Sequence, residues 1–195
     1  MNTTLKVLFC ILVLQVGLVL LTHRKGSKNE IDLSHPLLPL PFEKVDRLVI
    51  SGAESHQAVL SKEEGIWKSD EYFGFPLNQD KIGSLFTDLK ELRMSWPVGK
   101  TLLAAKQFLV TKDNFEKKFE FYEGDNLIAT LYFGSSPSFR KSHIRVEGEE
   151  NTYAVKFSSY EYQVKSKSWL NRRFYKLERD AVERGQVLTK PGAIT

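Results

Sequence analysis

The chain has few of the residues that build disulfide, metal or catalytic sites. Its 195 residues include a single cysteine, Cys10, which excludes an internal disulfide framework and a cysteine-based zinc site. The four histidines, His23, His35, His56 and His143, show neither His-x-His nor His-Glu-x-x-His spacing, and no Gly-x-Ser-x-Gly nucleophile elbow occurs. We therefore expect no metal, no cofactor, no catalytic residues and no enzymatic activity.

An excess of one charge is also missing. The 28 lysines and arginines outnumber the 24 acidic residues by only four, and the two signs alternate along most of the chain. A dense basic stretch with interleaved aromatics occurs only near the end, in "KSKSWLNRRFYK" (165–176), which argues against a nucleic-acid partner. The composition, 42% hydrophobic and 27% charged, is typical of a globular protein and excludes a long disordered chain.

The longest hydrophobic run lies at the amino terminus. Residues 5–21 would form a helix about 25 Å long, and Lys6 and Arg24 could extend its reach by snorkelling. A cleaved signal peptide and a buried soluble helix are the alternatives, but "LLTHRKGSK" offers no Ala-x-Ala-like cleavage site. We predict a transmembrane anchor over residues 1–25, contacting the lipid bilayer through residues 5–22.

A proline-rich stretch, "GSKNEIDLSHPLLPLPF", follows at 26–42. Its three prolines within six residues favour an extended course without backbone donors. Two interpretations remain open. The stretch is either a semi-rigid stalk that lifts the body off the bilayer, or an arm packed on the body through Leu37, Leu38 and Leu40.

The body is predicted to be α+β, with two similar lobes that are each an antiparallel β-meander covered by a helix. In the first lobe (43–100), "VDRLVIS" and "HQAVLSKEEGIWKSD" predict three strands with a turn at Glu64-Gly65. Asn78 is a suitable N-cap for the helix that follows. The apolar residues of that helix recur at helical spacing: Ile82, Leu85, Phe86, Leu89 and Leu92.

The second lobe (101–174) repeats that order. "FEKKFEFYEGDNLIATLYFG" (115–134) alternates apolar and polar residues on both sides of "EGDN", which predicts a hairpin with one buried face. "SHIRVEG" and "TYAVKF" predict a second hairpin, and residues 158–174 are expected to form the covering helix.

The tail (175–195) is predicted to carry an extra strand. "VERGQVLT" at 182–189 is similar to "VDRLVIS" at 45–51, and it includes Val187 and Leu188 as candidate partner-binding residues. A lone strand must pair with a sheet edge, either of this chain or of a partner. A frayed polar tail is the alternative.

Two groups of side chains are further candidates for partner binding. Trp67, Tyr72 and Phe73 precede the first helix; if exposed they could anchor a protein or stack on sugars, and if buried they would seal the sheet. Arg140 and Lys141, in "GSSPSFRKSH", could hold an anion or lie on a solvated loop.

The basic stretch near the end supplies the remaining candidates, which are Trp169, Arg172 and Arg173. Three interpretations compete for them. They could contact an anionic lipid surface, bind an acidic partner, or form a helix with aromatics inward and cations outward.

The body resembles the DUF4340 family, a bacterial domain of unknown function, from about residue 42 to residue 174. The matching motifs are "VDRLVISG", "GIWKSD", "LKELR", "LYFGSS", "TYAVKF" and "WLNRRF". The resemblance implies a membrane-anchored, mostly extracytoplasmic, β-rich protein of the kind often associated with ABC-type transporters and gliding-type auxiliary components. No catalytic residues are established for the family. The pattern departs from the family at residues 104–115.

We therefore expect a non-enzymatic accessory or scaffold subunit of a bacterial envelope complex, with an ABC-type transporter as its partner. The family places the body outside the cytoplasm, on a single-pass anchor in the inner membrane, although Arg24 and Lys25 favour the opposite orientation by the positive-inside rule. A cell-envelope glycan-binding module and an enzyme of unrecognised type are the alternatives.

Overall fold

The computed structural model describes residues 7, 9, 11–18, 35–54 and 56–172. The chain divides into two compact units between Asp32 and Leu33. In the first unit, the described residues are helical, with mostly exposed side chains. Among all described residues, no helix is both long and apolar enough to span a membrane. Most of the predicted anchor lies outside the described residues, so it stays a prediction.

Eight strands of the second unit form one antiparallel sheet, in the order β10-β9-β8-β7-β1-β2-β3-β4. Two further short strands, β5 and β6, pair with each other. The bounds are β1 Arg47–Gly52, β2 Gln57–Glu63, β3 Ile66–Ser69, β4 Phe75–Pro76, β5 Val110–Thr111, β6 Asn114–Phe115, β7 Lys117–Glu123, β8 Asn126–Phe133, β9 Ser142–Val146 and β10 Tyr153–Val155. The α+β class and the predicted hairpins are confirmed.

The sheet runs without interruption across the predicted boundary between the lobes. β1 of the first lobe pairs with β7 of the second, so that Ile50 lies opposite Phe119. The strands of both predicted lobes therefore share one sheet and one main core.

The helix α1, Gln79–Lys90, lies where its apolar period predicts it. The Asn78 side chain accepts a hydrogen bond from the Lys81 amide at 3.0 Å, as expected of an N-cap. A second helix, α2 (Leu102–Gln107), was not predicted. Four short 3₁₀ helices complete the set: Phe42–Lys44, Asp70–Tyr72, Ser159–Glu161 and Ser166–Trp169.

The prediction of a covering helix over 158–174 is wrong for the described part of that segment. Only the two short 3₁₀ turns occur there, separated by extended backbone at Tyr162 and Lys165. The physical reason is that Leu170 forms a β-bridge with Leu77, so the backbone groups at this end of the segment bond to the sheet instead of to a helical turn.

The two faces of the sheet bury different clusters, as the period of two along each strand requires. One face packs against α1 and forms the main core, which includes Leu48, Ile50, Phe119, Phe121, Phe133, Ile82, Leu85 and Leu89. On the opposite face, Tyr132 of β8 packs with Ala105 of α2 and Val110 of β5. α2 and the β5–β6 hairpin therefore cover the second half of the sheet from the other side.

The described part of the proline-rich stretch packs on the body. Leu37 and Leu38 are buried in the main core. The Leu37 amide donates to the Leu92 carbonyl at 2.9 Å, and the Met94 amide donates to the His35 carbonyl at 3.0 Å. From residue 35 onward the chain is therefore an arm on the body, which was one of the two alternatives for this stretch.

Other segments of the same chain bond to the backbone next to both outer strands of the sheet. Along β4, the Asn78 amide donates to the Trp169 carbonyl at 2.7 Å, and the Asn171 amide donates to the Pro76 carbonyl at 3.2 Å. Next to β10, the Thr152 amide donates to the Gly99 carbonyl at 2.8 Å. A further strand would meet these segments at either edge. The tail strand predicted at 182–189 lies outside the described residues.

Candidate interaction surface

The topology gathers several loops at one end of the sheet. β3, β8 and β10 run in the same direction as β1, since all neighbouring strands are antiparallel. The connections that follow these three strands, residues 70–74, 134–141 and 156–158, therefore lie at the same end, which we call the loop end. β3 and β8 are four strand spacings apart, so their loops are separated by roughly 19 Å.

Three aromatic side chains are exposed at the loop end. Phe73 is fully exposed and Phe139 is 88% exposed, while Tyr160 is 59% exposed beside β7. Lys117 holds Tyr160 in place, with Nζ 5.6 Å from the ring centre. Large exposed aromatic rings are unfavourable in water, and their concentration at one end of a sheet is typical of protein-binding surfaces.

The backbone at two of these loops is held in an unfavourable conformation. Phe73 has φ of 53° and Arg140, which follows Phe139, has φ of 55°. The left-handed region costs roughly 1–2 kcal/mol for a residue with a Cβ atom, so the surrounding loop must stabilise it. The Arg140 guanidinium lies 5.4 Å from the centre of the Phe139 ring. Residues held in this way cluster at functional sites.

A cleft of about 380 Å³ lies beside Arg140. Its lining carries charges of both signs and a small apolar part: Asp88, Glu91, Leu92, Arg140, Lys156, Phe157, Ser158 and Glu161. The Tyr162 hydroxyl donates to Asp88 Oδ2 at 2.5 Å; burial, with this bond as the second cause, raises the pKa of Tyr162. With two cations and three carboxylates, the cleft is suited to polar side chains of a partner.

Two half-buried lysines fix the segment behind the loop end. Lys117 Nζ donates to the Ser159 carbonyl and, at 2.8 Å, to the Tyr162 carbonyl. Lys81 Nζ donates to the Ser168 carbonyl at 3.1 Å and lies 4.4 Å from the centre of the Trp169 ring system. Burial lowers the pKa of Lys117 to about 8 and also lowers the pKa of Lys81. Both lysines therefore stabilise this segment through hydrogen bonds to its backbone carbonyls.

Of the predicted partner-binding residues, Phe73, Arg140 and Lys141 are exposed and lie in two separate loops at the loop end. Tyr72 is half-buried against the main core. Arg172 is exposed, and it follows the segment that covers β4. Arg173, Val187 and Leu188 lie outside the described residues.

The structure places Trp67 and Trp169 in the main core, in line with the buried alternative for each ring. Trp169 is completely buried, and its indole N–H donates to the Gln163 carbonyl at 2.8 Å. Trp67 is also buried and packs edge-on against Phe86, with ring centres 5.5 Å apart. Both rings fill the main core, because burying an indole is more favourable than exposing it when its N–H finds an acceptor.

Sequence reasoning missed Phe139 and Tyr160. Phe139 had a usable signal, because it is a large aromatic in a loop of serine, proline and cations, where nothing in the pattern offers it a buried face. No sequence signal marked Tyr160, because residues 158–174 were expected to be helical. The exposure of Tyr160 depends on the 3₁₀ turn that forms there instead.

Ser135 and His143 form a hydrogen-bonded pair, with 3.0 Å between Oγ and Nδ1. The imidazole is buried and stacks on Phe108 with ring centres 4.2 Å apart, and Ser135 Oγ also donates to the Phe108 carbonyl. Neither residue lines the cleft beside Arg140. The pair therefore fastens the end of α2 to β8 and β9. Within the described parts of the chain, no three His, Cys, Asp or Glu residues are grouped to hold a metal ion.

The buried imidazole predicts a pH-dependent stability. Burial lowers the pKa of His143, against a smaller opposing effect of a hydrogen bond with the Ser135 backbone. The unfolded chain then binds the proton more readily, so this contribution to stability is complete above about pH 6.5 and is lost as the pH falls toward the lower pKa of the folded state. Urea unfolding at a series of pH values should show this decline.

A pair of asparagine variants tests the assignment. His143→Asn removes the titrating group, so the decline on acidification should become shallower even though the variant is less stable overall. His56→Asn, at an exposed position in the β1–β2 turn, should leave the decline unchanged. An unchanged slope in His143→Asn would contradict the prediction.

Several motifs that carry the family resemblance lie at structural corners. Gly134 of "LYFGSS" lies under the end of α2, where the Phe108 carbonyl oxygen would be 2.0 Å from an added Cβ atom. Trp169 of "WLNRRF" is the buried ring that begins the cover of β4. In "GIWKSD", Gly65 follows Glu64 in a turn where both residues have positive φ. These three motif residues therefore have structural roles in the fold.

Comparison with known proteins identifies the family to which the chain belongs. A family model described as a domain of unknown function (DUF4340) matches residues 67–194, which is more than half of the chain. Searches of curated proteins and of solved structures found no match. The match extends from β3 through all of the later strands of the sheet. The chain belongs to the DUF4340 family.

Proposed function

We propose that the protein is a membrane-anchored, non-enzymatic accessory subunit of a bacterial envelope complex, and that it docks a partner protein through the loop end. The observation that supports this most is the exposure of Phe73, Phe139 and Tyr160 at one end of the sheet. Residues 5–22 would hold the subunit in the inner membrane, with the body outside the cytoplasm. The family resemblance makes an ABC-type transporter our proposed partner.

The chemistry of the loop end fits a protein partner. Aromatic side chains and arginine supply most of the binding energy at protein interfaces, and the loop end presents Phe73, Phe139 and Arg140. Segments of the same chain already bond beside both outer strands and compete with strand addition, so the loops are the better candidates for contact.

The glycan-binding alternative has less support. It required exposed rings at Trp67 and Tyr72, but Trp67 is buried and Tyr72 is half-buried. Stacking on a sugar needs an open aromatic face, which the buried indole does not offer.

Site-specific photocrosslinking tests the docking surface in the native membrane. A photoreactive phenylalanine analogue at position 73 or 139 should crosslink to one and the same membrane protein, since both positions face one partner. At Ile66, which is exposed at the start of β3 and so at the opposite end of the sheet, the analogue should give no such crosslink.

The double variant Phe73→Ser, Phe139→Ser should then reduce the affinity for that protein by tenfold or more, because loss of a central aromatic anchor costs about 2 kcal/mol. Its stability should stay within about 0.5 kcal/mol of the parent, since both rings are exposed. Different crosslinked proteins at the two positions, or full affinity in the double variant, would contradict the proposal.

A further inference from the structure

A second exposed apolar surface lies away from the loop end. Trp96, Val98, Leu102 and Leu103 are 67%, 46%, 65% and 77% exposed, and we call them the apolar strip. They lie within eight consecutive residues that connect the segment after α1 to the start of α2. Neither the loop end nor the main core uses them.

The strip is held rigidly. The Val98 amide donates to the Thr152 carbonyl at 2.8 Å, which fixes the connection to the sheet edge. Gly99 packs so closely on Ala104 that an added Cβ atom would lie 2.6 Å from the alanine Cβ. Thr101 caps α2 by accepting a hydrogen bond from the Ala104 amide at 3.2 Å. Leu102 and Leu103 are therefore exposed by the fold itself.

The charged side chains in the segment that carries the strip are all positive. Between Glu91 and Asp113 the chain has no acidic residue and four basic ones, Arg93, Lys100, Lys106 and Lys112. Leu102 lines two clefts, the first of about 210 Å³ and the second of about 500 Å³. Lys100 lines the first cleft, and Lys106 and Lys112 line the second.

Other elements place charges at the same clefts. Glu149 and Glu150 of the β9–β10 turn line the first cleft, and burial raises the pKa of Glu149. Asp113 lines the second cleft. Arg145 lines both clefts, but its guanidinium already donates to the Val110 and Glu149 carbonyls. The free cations are therefore the lysines beside the exposed leucines.

The apolar strip also lies next to residues 35–37 in the sequence of backbone contacts, where the proline-rich arm packs on the body. His35 and Leu37 pair with Met94 and Leu92, directly before the strip begins. The chain between residues 18 and 35 can span at most about 60 Å. An anchor in the bilayer therefore limits how far this part of the body can move from the membrane surface.

We infer that the apolar strip is a membrane-contact surface for an anionic bilayer. Trp96, Leu102 and Leu103 enter the interfacial region, and Lys100 and Lys106 bind lipid phosphates. Tryptophan is favoured at the headgroup level, leucine adds buried apolar area, and each lysine near an anionic surface adds to the attraction. The inference rests on the proposed function, because the anchor keeps the body next to the lipid.

Fluorescence from single cysteines in the full chain tests this contact. In a Cys10→Ser background, Leu102→Cys or Leu103→Cys would carry an environment-sensitive fluorophore in vesicles of equal parts phosphatidylglycerol and phosphatidylcholine. We expect a blue shift and about a twofold loss of fluorescence with lipids brominated in the upper acyl chain, since interfacial side chains lie roughly 5–10 Å deep. The effect should weaken in pure phosphatidylcholine.

The label at Phe73→Cys is the matched control, because that exposed position lies at the loop end. It should show no quenching. The chain should still float with the vesicles after alkaline washing. If it does and the labels at 102 and 103 are not quenched, the inference is overturned while the anchor in the proposed function stands. A chain that is released by alkaline washing would instead overturn the anchor in the proposed function. Quenching at position 73 alone would reverse the orientation and overturn the inference.

Discussion

Replacing Gly134 with alanine is expected to destabilise the body by about 3 kcal/mol or more, at the upper end of what overpacking costs. The added Cβ atom would lie 2.0 Å from the Phe108 carbonyl oxygen and 2.4 Å from the Leu109 carbonyl oxygen. Both are backbone atoms, so no side chain can rotate away. Relief requires the end of α2 to move off β8, which would also break the hydrogen bond from the Ser135 amide to the Phe108 carbonyl.

Gly83→Ala provides the matched control for this change. Gly83 lies in α1 with no heavy atom within 4 Å of an added Cβ. The same methyl group should stabilise that variant by about 0.5–1 kcal/mol, because alanine favours the helix more than glycine does. Urea unfolding in one mild detergent, followed by circular dichroism, measures both variants. Equal stability in the two would contradict the close approach at Gly134.

Replacing Trp169 with alanine should cost about 3–5 kcal/mol, the range for a large aromatic removed from a core. The ring is completely buried, stacks on Tyr162 with ring centres 6.1 Å apart, and lies under the Lys81 ammonium group. Its loss would leave a cavity and a half-buried lysine without its aromatic neighbour. Circular dichroism is the suitable probe, because the variant lacks one tryptophan fluorophore.

Trp96→Ala is the same chemical change at an exposed site. Because that ring is 67% exposed, stability should change by no more than about 0.5 kcal/mol. Hydrogen exchange offers a second measurement for Trp169→Ala. The Asn78 amide, which donates to the Trp169 carbonyl, should exchange faster in this variant. A small loss of stability with unchanged exchange would show that the ring does not hold the cover of β4.

The parts of the fold that sequence could predict are those set by local periodicity. The alternation around Phe119 and Leu131 predicts the β7–β8 hairpin, and the spacing from Ile82 to Leu89 predicts α1 with Asn78 as its cap. The failures depend on distant contacts. Residues 158–172 contain two short 3₁₀ turns because they bond to the β4 edge and to two lysines, none of which is visible in their own sequence.

The candidate surface was predictable only in part, for a related reason. Phe73, Arg140 and Lys141 were recognised as candidate partner-binding residues, but their position at the same end follows from the direction of strands up to four positions apart in the sheet. The helix α2 has only six residues, which is too short for a clear helical period, so the strip at its start was missed.

The segments beside β4 and β10 have a consequence for contact between copies of the chain. Open edge strands offer unpaired backbone groups to which a second molecule can add a strand. In this chain, backbone groups at the end of β4 and at the residue before β10 are already bonded to residues 169–171 and 98–99. These bonds oppose polymerisation through the ends of the sheet and favour contacts through side chains, which can be selective.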